Sequence, residues 1–322
     1  MQLLRQLYSI HSETGSEWPM IQFVRDYINK RVPEAKMRFD KLGNLYIAKG
    51  KPGVGYPTLV CHLDQVQKLH SVDFEVREED EKLYGWSEQN ERREGLGADD
   101  KNGIYICLRC LEECPQLKVF MAVGEEKGCI GSNRADMSFF SDSLYVLEPD
   151  CKGGKEIHTN LRGIPCASKE FEEVLQTEAN GYIITDGKGS DILALTLNDI
   201  GVSCANIPAG YYQPHKDDEY TIVSELEHTL RYIKSLLMNN HQRYPHHYKT
   251  ETQRMIEMMM TNGKEREAEI KAKIAKLDAY VEEMNAKGDL TDDEMKELMK
   301  AMQQTNKYLR AIGAPESDMY DI

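Results

Sequence analysis

The chain has 322 residues, 40% of them apolar and 29% charged, with a formal net charge of −14 at pH 7. That length is enough for one large α/β domain or two ordinary ones, and the acidic balance argues against a nucleic-acid partner, which requires a basic surface. No stretch approaches the roughly 18 apolar residues of a membrane span, and the first twenty residues lack the basic segment, apolar core and small-residue cleavage site of a signal peptide, so a cytoplasmic protein with no membrane partner is expected.

After the polar cluster HSETGSEW (11–18), Met20, Phe23 and Tyr27 recur at helical spacing, as do Ile21, Val24 and Ile28, and predict one amphipathic helix. Short strands follow in AKMRFD, NLYIAKG and the apolar YPTLVCHLD, then an alternating, charged run VDFEVREEDEKLYG that predicts a solvent-facing hairpin. IYICLRCLEEC predicts a helix, LKVFMAVGEE and SLYVLEPD apolar strands, and residues 181–212 a strand, a Gly-rich loop, a helix and another strand. Such alternation implies an α/β fold with a central mixed, mostly parallel sheet and helices on both faces. Helix 224–238 opens with Ser224 and Glu227 at capping-box spacing.

Beyond about residue 240 the composition shifts to Glu, Lys, Met, Ala and Gln, good helix formers. Helices are expected over 262–286 and 292–310, with Gly288 ending the first and Thr291 and Glu294 capping the second. Ile270, Ile274, Leu277, Val281 and Met284 make one stripe, suited to a C-terminal helical hairpin, the main domain or a partner subunit. The expected division is therefore 1–240 for a catalytic domain and 250–322 for a helical extension through which a homo-oligomer can form. YPHHY, with His246 and His247, is expected to be a surface linker, and Cys107, Cys110 and Cys114 form a buried helical face, since no second Cys or His pair stands at zinc-finger spacing.

Acids and histidines gather where the predicted strands end. His62 and Asp64 close one strand, Asp99 and Asp100 lie in GLGADDKNG, Glu125 and Glu126 end the next, Glu148 and Asp150 another, and His215 follows in GYYQPHKDDE. In open α/β sheets the functional crevice lies beyond the carboxyl ends of the strands. Adjacent carboxylates there repel one another unless cations compensate them, and two divalent metals supply that charge. Imidazole and carboxylate donors suit zinc.

In their order along the chain, HLD, GLGADDKNG, AVGEEKG, LEP and the late His resemble the dinuclear zinc exopeptidases, a clan that includes peptidase T, the bacterial glutamate carboxypeptidase and succinyl-diaminopimelate desuccinylase. The resemblance spans roughly residues 1–238. It implies two divalent ions, zinc with cobalt or manganese as alternatives, held by His62, Asp99, Glu126, Glu148 and His215. It further implies Asp64 as the carboxylate orienting His62, Asp99 as the bridge, a cis peptide between Asp99 and Asp100, and Glu125 as general base. Either Glu148 or Asp150 can be the fifth ligand; Glu148 is favoured because several relatives carry Glu-Pro at this strand end. Within the clan Glu goes with deacylases and carboxypeptidases, Asp with aminopeptidases. The implied activity is hydrolysis of small peptides as an exopeptidase; deacylation of N-acyl amino acids and a non-catalytic scaffold are the alternatives. Only 66 residues separate Glu148 from His215, so the lid domain that peptidase T inserts there is expected to be absent and the sheet to continue.

Overall fold

A computed structural model describes residues 1–67, 69–175, 178–248, 264–287, 290–311 and 319–320. The chain folds as two units, Met1–Tyr248 and Lys249–Ile322. In the first unit the strands are β1 (Lys36–Phe39), β2 (Leu45–Lys49), β3 (Tyr56–His62), β4 (Glu75–Glu79), β5 (Lys82–Ser87), β6 (Arg92–Glu94), β7 (Leu117–Ala122), β8 (Ser143–Cys151), β9 (Glu156–Leu161), β10 (Ile164–Pro165), β11 (Ile183–Gly187), β12 (Cys204–Pro208), β13 (Tyr211–Tyr212) and β14 (Tyr220–Ile222). The main sheet runs β1-β2-β7-β3-β8-β12-β9-β10, with β11 also paired to β9. Its centre, β7-β3-β8-β12, is parallel, while β1, β2 and β10 pair antiparallel at the flanks.

The parallel centre explains why these strands read as apolar runs without alternation, since both faces are covered. Leu59, Cys61, Val119, Met121, Tyr145 and Leu147 face one core, shared with the helices α1 (Gln2–Tyr8), α2 (Trp18–Arg31), α3 (Ala98–Glu113) and, after α4 (Lys169–Val174) and α5 (Asp191–Leu197), α6 (Val223–Asn239). Val60, Phe120, Ala122, Val146 and Cys204 face the other core, filled by Ile192, Leu193 and Leu195 of α5. Cys61, Cys107, Cys110 and Cys114 are all buried in the first core. Among the described residues no helix is long and apolar enough to cross a membrane.

The 66 residues between Glu148 and His215 do continue the sheet, supplying β9 to β12 with α4 and α5 between them. A second, antiparallel sheet runs β13-β14-β5-β4, with β6 on β5. The expected charged hairpin is its β4–β5 edge, turned by Asp80 and Glu81, both at positive φ. The chain passes from the main sheet to the small one at Gly210, where φ is +73° and a Cβ would stand 2.7 Å from the main-chain nitrogen of Leu226, so only glycine fits without strain.

Three local expectations are corrected. Helix α1 was not anticipated, because seven residues are too few to show a period; Leu4, Leu7 and Tyr8 are buried by it. The Ser224–Glu227 capping box does not form: α6 starts at Val223, the Ser224 hydroxyl donates to Glu81 (3.0 Å) and Glu227 accepts from Tyr105 (2.9 Å). Tertiary partners outcompete the local cap. Residues 241–248 are no free linker either, since Tyr244 is buried, its N–H donates to Leu144 and its carbonyl accepts from Ser203.

In the second unit, α7 (Lys264–Lys287) and α8 (Asp292–Ala311) form a hairpin in which Ile274 meets Tyr308, and Val281 and Met284 meet Leu298 and Ala301. Ile274, Val281 and Met284 of the α7 stripe are thus buried within the hairpin. Thr291 and Glu294 make the expected reciprocal cap, Glu294 N–H to Thr291 Oγ1 (3.3 Å) and Thr291 N–H to Glu294 Oε2 (3.0 Å). Gly288, residues 262–263 and the Ile270 side chain lie outside the described residues.

Candidate metal centre

Parallel pairing brings the carboxyl ends of β7, β3 and β8 together. The β3–β8 register sets Leu59 against Leu147, and its continuation sets His62 level with Asp150. The His62 ring is buried, with Nδ1 3.0 Å from the main-chain oxygen of Asp64 and 3.5 Å from its carboxylate. That leaves Nε2 facing Asp99 Oδ1 at 3.0 Å and Asp150 Oδ1 at 3.7 Å. The other oxygen of Asp99 lies 3.2 Å from His215 Nε2, which is 2.9 Å from Glu126 Oε1. Asp99 therefore stands between two groups of donors, one oxygen turned to each.

The remaining acids have separate tasks. The Asp64 carboxylate accepts from the N–H groups of Glu125 (3.0 Å) and Glu126 (3.2 Å) and from Thr14 Oγ1 (2.8 Å). It holds the Glu125–Glu126 turn as much as the imidazole. Asp100, joined to Asp99 by a cis peptide, accepts from the N–H of His62 (3.3 Å) and of Gly103 (2.9 Å). Its carboxylate lies 2.3–2.6 Å from where a Cβ on residue 103 would stand, which accounts for the second glycine of GADDKNG. Glu148 is fully buried but its Oε2 accepts from Ser190 Oγ (2.5 Å), and Oε1 has no hydrogen-bond partner among the described residues. Ser190 is consequently not free to cap α5, and Asp191 accepts from Ser132 (2.5 Å).

The charges show an excess of anion. Burial alone would raise Asp99, yet bonds from His215 and His62 hold it well below the usual carboxylate range. His62 is driven up by Asp150, Asp64 and Asp99 against its burial, and hydrogen bonds to Asp99 and Glu126 push His215 to about 10. Burial, then the charges of Asp99 and Glu126, raise Glu125, while burial and Asp99 raise Asp150. Divalent cations at these atoms would supply the countercharge that so many neighbouring acids require. Three sets of donor atoms lie within 4.8 Å of one another: His62 with Asp100 and Asp150, His62 with Glu125 and Glu126, and Asp99 with Glu126 and His215. The oxygen-and-imidazole donor chemistry fits divalent cations.

Of the residues expected from sequence, His62, Asp99, Glu126, His215, Glu125 and Asp64 meet in one place. Glu148 lies one register step deeper than Asp150, which approaches His62 instead. Sequence reasoning passed over Glu219 altogether: it is buried, accepts N–H bonds from Gly97, Ala98 and Asp99, and is pushed to about 8 by burial and by Asp99. Its position just before the β14 strand, in a run of exposed acids, gave no local signal. A cavity of about 390 Å³ opens beside His215, lined also by Val66, Leu69, His70 and Arg92.

No family model matches the chain, and no curated protein matches it. Solved structures do. The aminopeptidase PepT of Bacillus cereus superposes with a TM-score of 0.59 at 15% identity, over 73% of this chain and 96% of its own. A tripeptidase of Staphylococcus aureus gives 0.57 at 13%, over 73% and 96%, and an aminopeptidase of the archaeon Desulfurococcus kamchatkensis 0.58 at 16%, over 74% and 94%. The fold is that of these peptidases. The sequence resemblance to peptidase T and the three-dimensional likeness agree on the architecture.

Proposed function

We propose that the chain is a metal-dependent aminopeptidase acting on short peptides, with one cation position made by His62, Asp99 and Asp150 and a second by Asp99, Glu126 and His215. The observation that carries this reading is the placement of Asp99, whose two oxygens address His62 and His215 on opposite sides. Asp150 replaces Glu148 as the fifth ligand in this reading, because it is the carboxylate beside His62. An Asp at this position goes with the aminopeptidases of the resembling clan, and two of the three structures above are named aminopeptidases and the third a tripeptidase.

When bound, such cations polarise a scissile carbonyl and make water acidic near neutral pH. The chain's own residues do the rest. Asp64 fixes the turn that carries Glu125 and Glu126. Glu125, kept basic enough by burial and its acidic neighbours to hold a proton, takes one from the attacking water and returns it to the leaving amine. The cavity beside His215 offers room for a substrate side chain.

Two measurements test the reading. Peptides with a free N-terminus should be cleaved and their N-acetylated counterparts not; preference for the acylated set would support a deacylase instead. Asp150→Asn should weaken metal binding by at least about tenfold, whereas Glu148→Gln should leave it near wild type. The reverse pattern would restore Glu148 as the ligand.

A further inference from the structure

His215 differs from the other members of the candidate centre in where it comes from. His62, Asp99, Glu126 and Asp150 follow strands of the main sheet or the start of α3, which packs on it. His215 alone sits on the 213–219 loop that closes the β13–β14 hairpin of the small sheet. The loop passes through the left-handed region at Gln213 (φ 55°) and at His215 itself (φ 65°), conformations that persist in non-glycine residues only where surrounding contacts impose them.

The loop is anchored at its end by Glu219. Glu219 is fully buried, and its Oε2 accepts from the N–H of Gly97 (2.6 Å), the N–H of Ala98 (3.1 Å) and Nε2 of Gln67 (3.1 Å). Its Oε1 accepts from the N–H of Asp99 at 3.3 Å. One carboxylate thus clasps three consecutive N–H groups of the turn ending in Asp99, four residues along the chain from His215. The buried amine of Lys101 donates to the Leu96 carbonyl at 3.0 Å on the same turn.

We infer that Glu219 is a positioning residue that holds the His215 loop against the Asp99 turn, and so sets the affinity of the second cation position more strongly than that of the first. The inference rests on the two-cation reading above. The first position shares Asp99 with the second but has its other two ligands on adjacent paired strands, where His62 Nε2 lies 3.7 Å from Asp150 Oδ1. In the second, Glu126 is fixed through its main chain by Asp64, which leaves His215 as the ligand whose placement depends on a separate element.

The test is a calorimetric titration of chelator-stripped, full-length protein with zinc, comparing wild type, Glu219→Gln, Glu219→Ala and His215→Ala. Glu219→Gln keeps the volume and one accepting oxygen, so it reports even if the alanine variant fails to fold. Wild type should take two zinc ions per chain, and Glu219→Gln should bind one of them within about threefold of wild type and the other at least about tenfold more weakly, in the direction of His215→Ala. Two zinc ions at wild-type affinities in Glu219→Gln, or equal weakening of both, would overturn the assignment. A wild type that takes fewer than two zinc ions would overturn the two-cation reading and the inference with it, a result distinguishable from the first two because it appears before any substitution is made.

Discussion

Glu125→Gln should lower kcat by about 10²- to 10⁴-fold, the usual contribution of a positioned acid–base group, with no change in bound metal. The substitution is nearly isosteric and removes the ability to accept and return a proton. Glu125 belongs to the turn whose two N–H groups are clasped by Asp64, and that main-chain hold does not depend on the Glu125 side chain. Among the described residues its carboxylate accepts only a weak bond from Cys129 Sγ at 3.4 Å, so little structure is lost with the charge. The variant should therefore bind zinc and peptide like wild type, and its KM should stay within a small factor. Turnover within about tenfold of wild type would show that another group moves the proton, since that is less than a general base contributes. Simultaneous loss of metal would show that Glu125 is a ligand, as its grouping with His62 and Glu126 permits.

Asp99→Ala should have the larger effect on composition: zinc content falling from about two per chain to at most about one, with cleavage of free peptides lost. Asp99 turns one carboxylate oxygen to His62 and the other to His215. Its loss also leaves His62 and His215 without the carboxylate that pairs them, so the remaining donors are fewer. Asp99→Asn is the milder companion, retaining one acceptor oxygen and the loop contacts of the main chain. It should bind zinc more weakly than wild type by at least the roughly tenfold cost of losing a supporting group around a metal. Unchanged zinc content in Asp99→Ala, measured on protein purified without chelator, would remove the bridging role and with it the two-cation reading.

Much of this protein is determined by the sequence alone. Strands 56–62, 117–122 and 143–151 are legible because residues buried on both faces must all be apolar, and their ends because polar groups cannot continue into that core. His62, Glu125 and Glu126 are legible at the ends of such strands, where charged residues are costly without a compensating cation, and Asp99 and His215 through the order of the motifs. The tertiary structure decided what period and spacing cannot. Glu148 and Asp150 share one face of one strand, so alternation does not separate them; the register against β3 does, by setting Asp150 level with His62 and leaving Glu148 beneath Ser190. Ser224 and Glu227 have a cap's spacing but find Glu81 and Tyr105, more than a hundred residues distant. Glu219 takes its partners from N–H groups some 120 positions earlier in the chain, and main-chain donors leave no mark in side-chain sequence. Local chemistry specified which residues could bind a cation, and only the packing of two sheets specified which of them face one another.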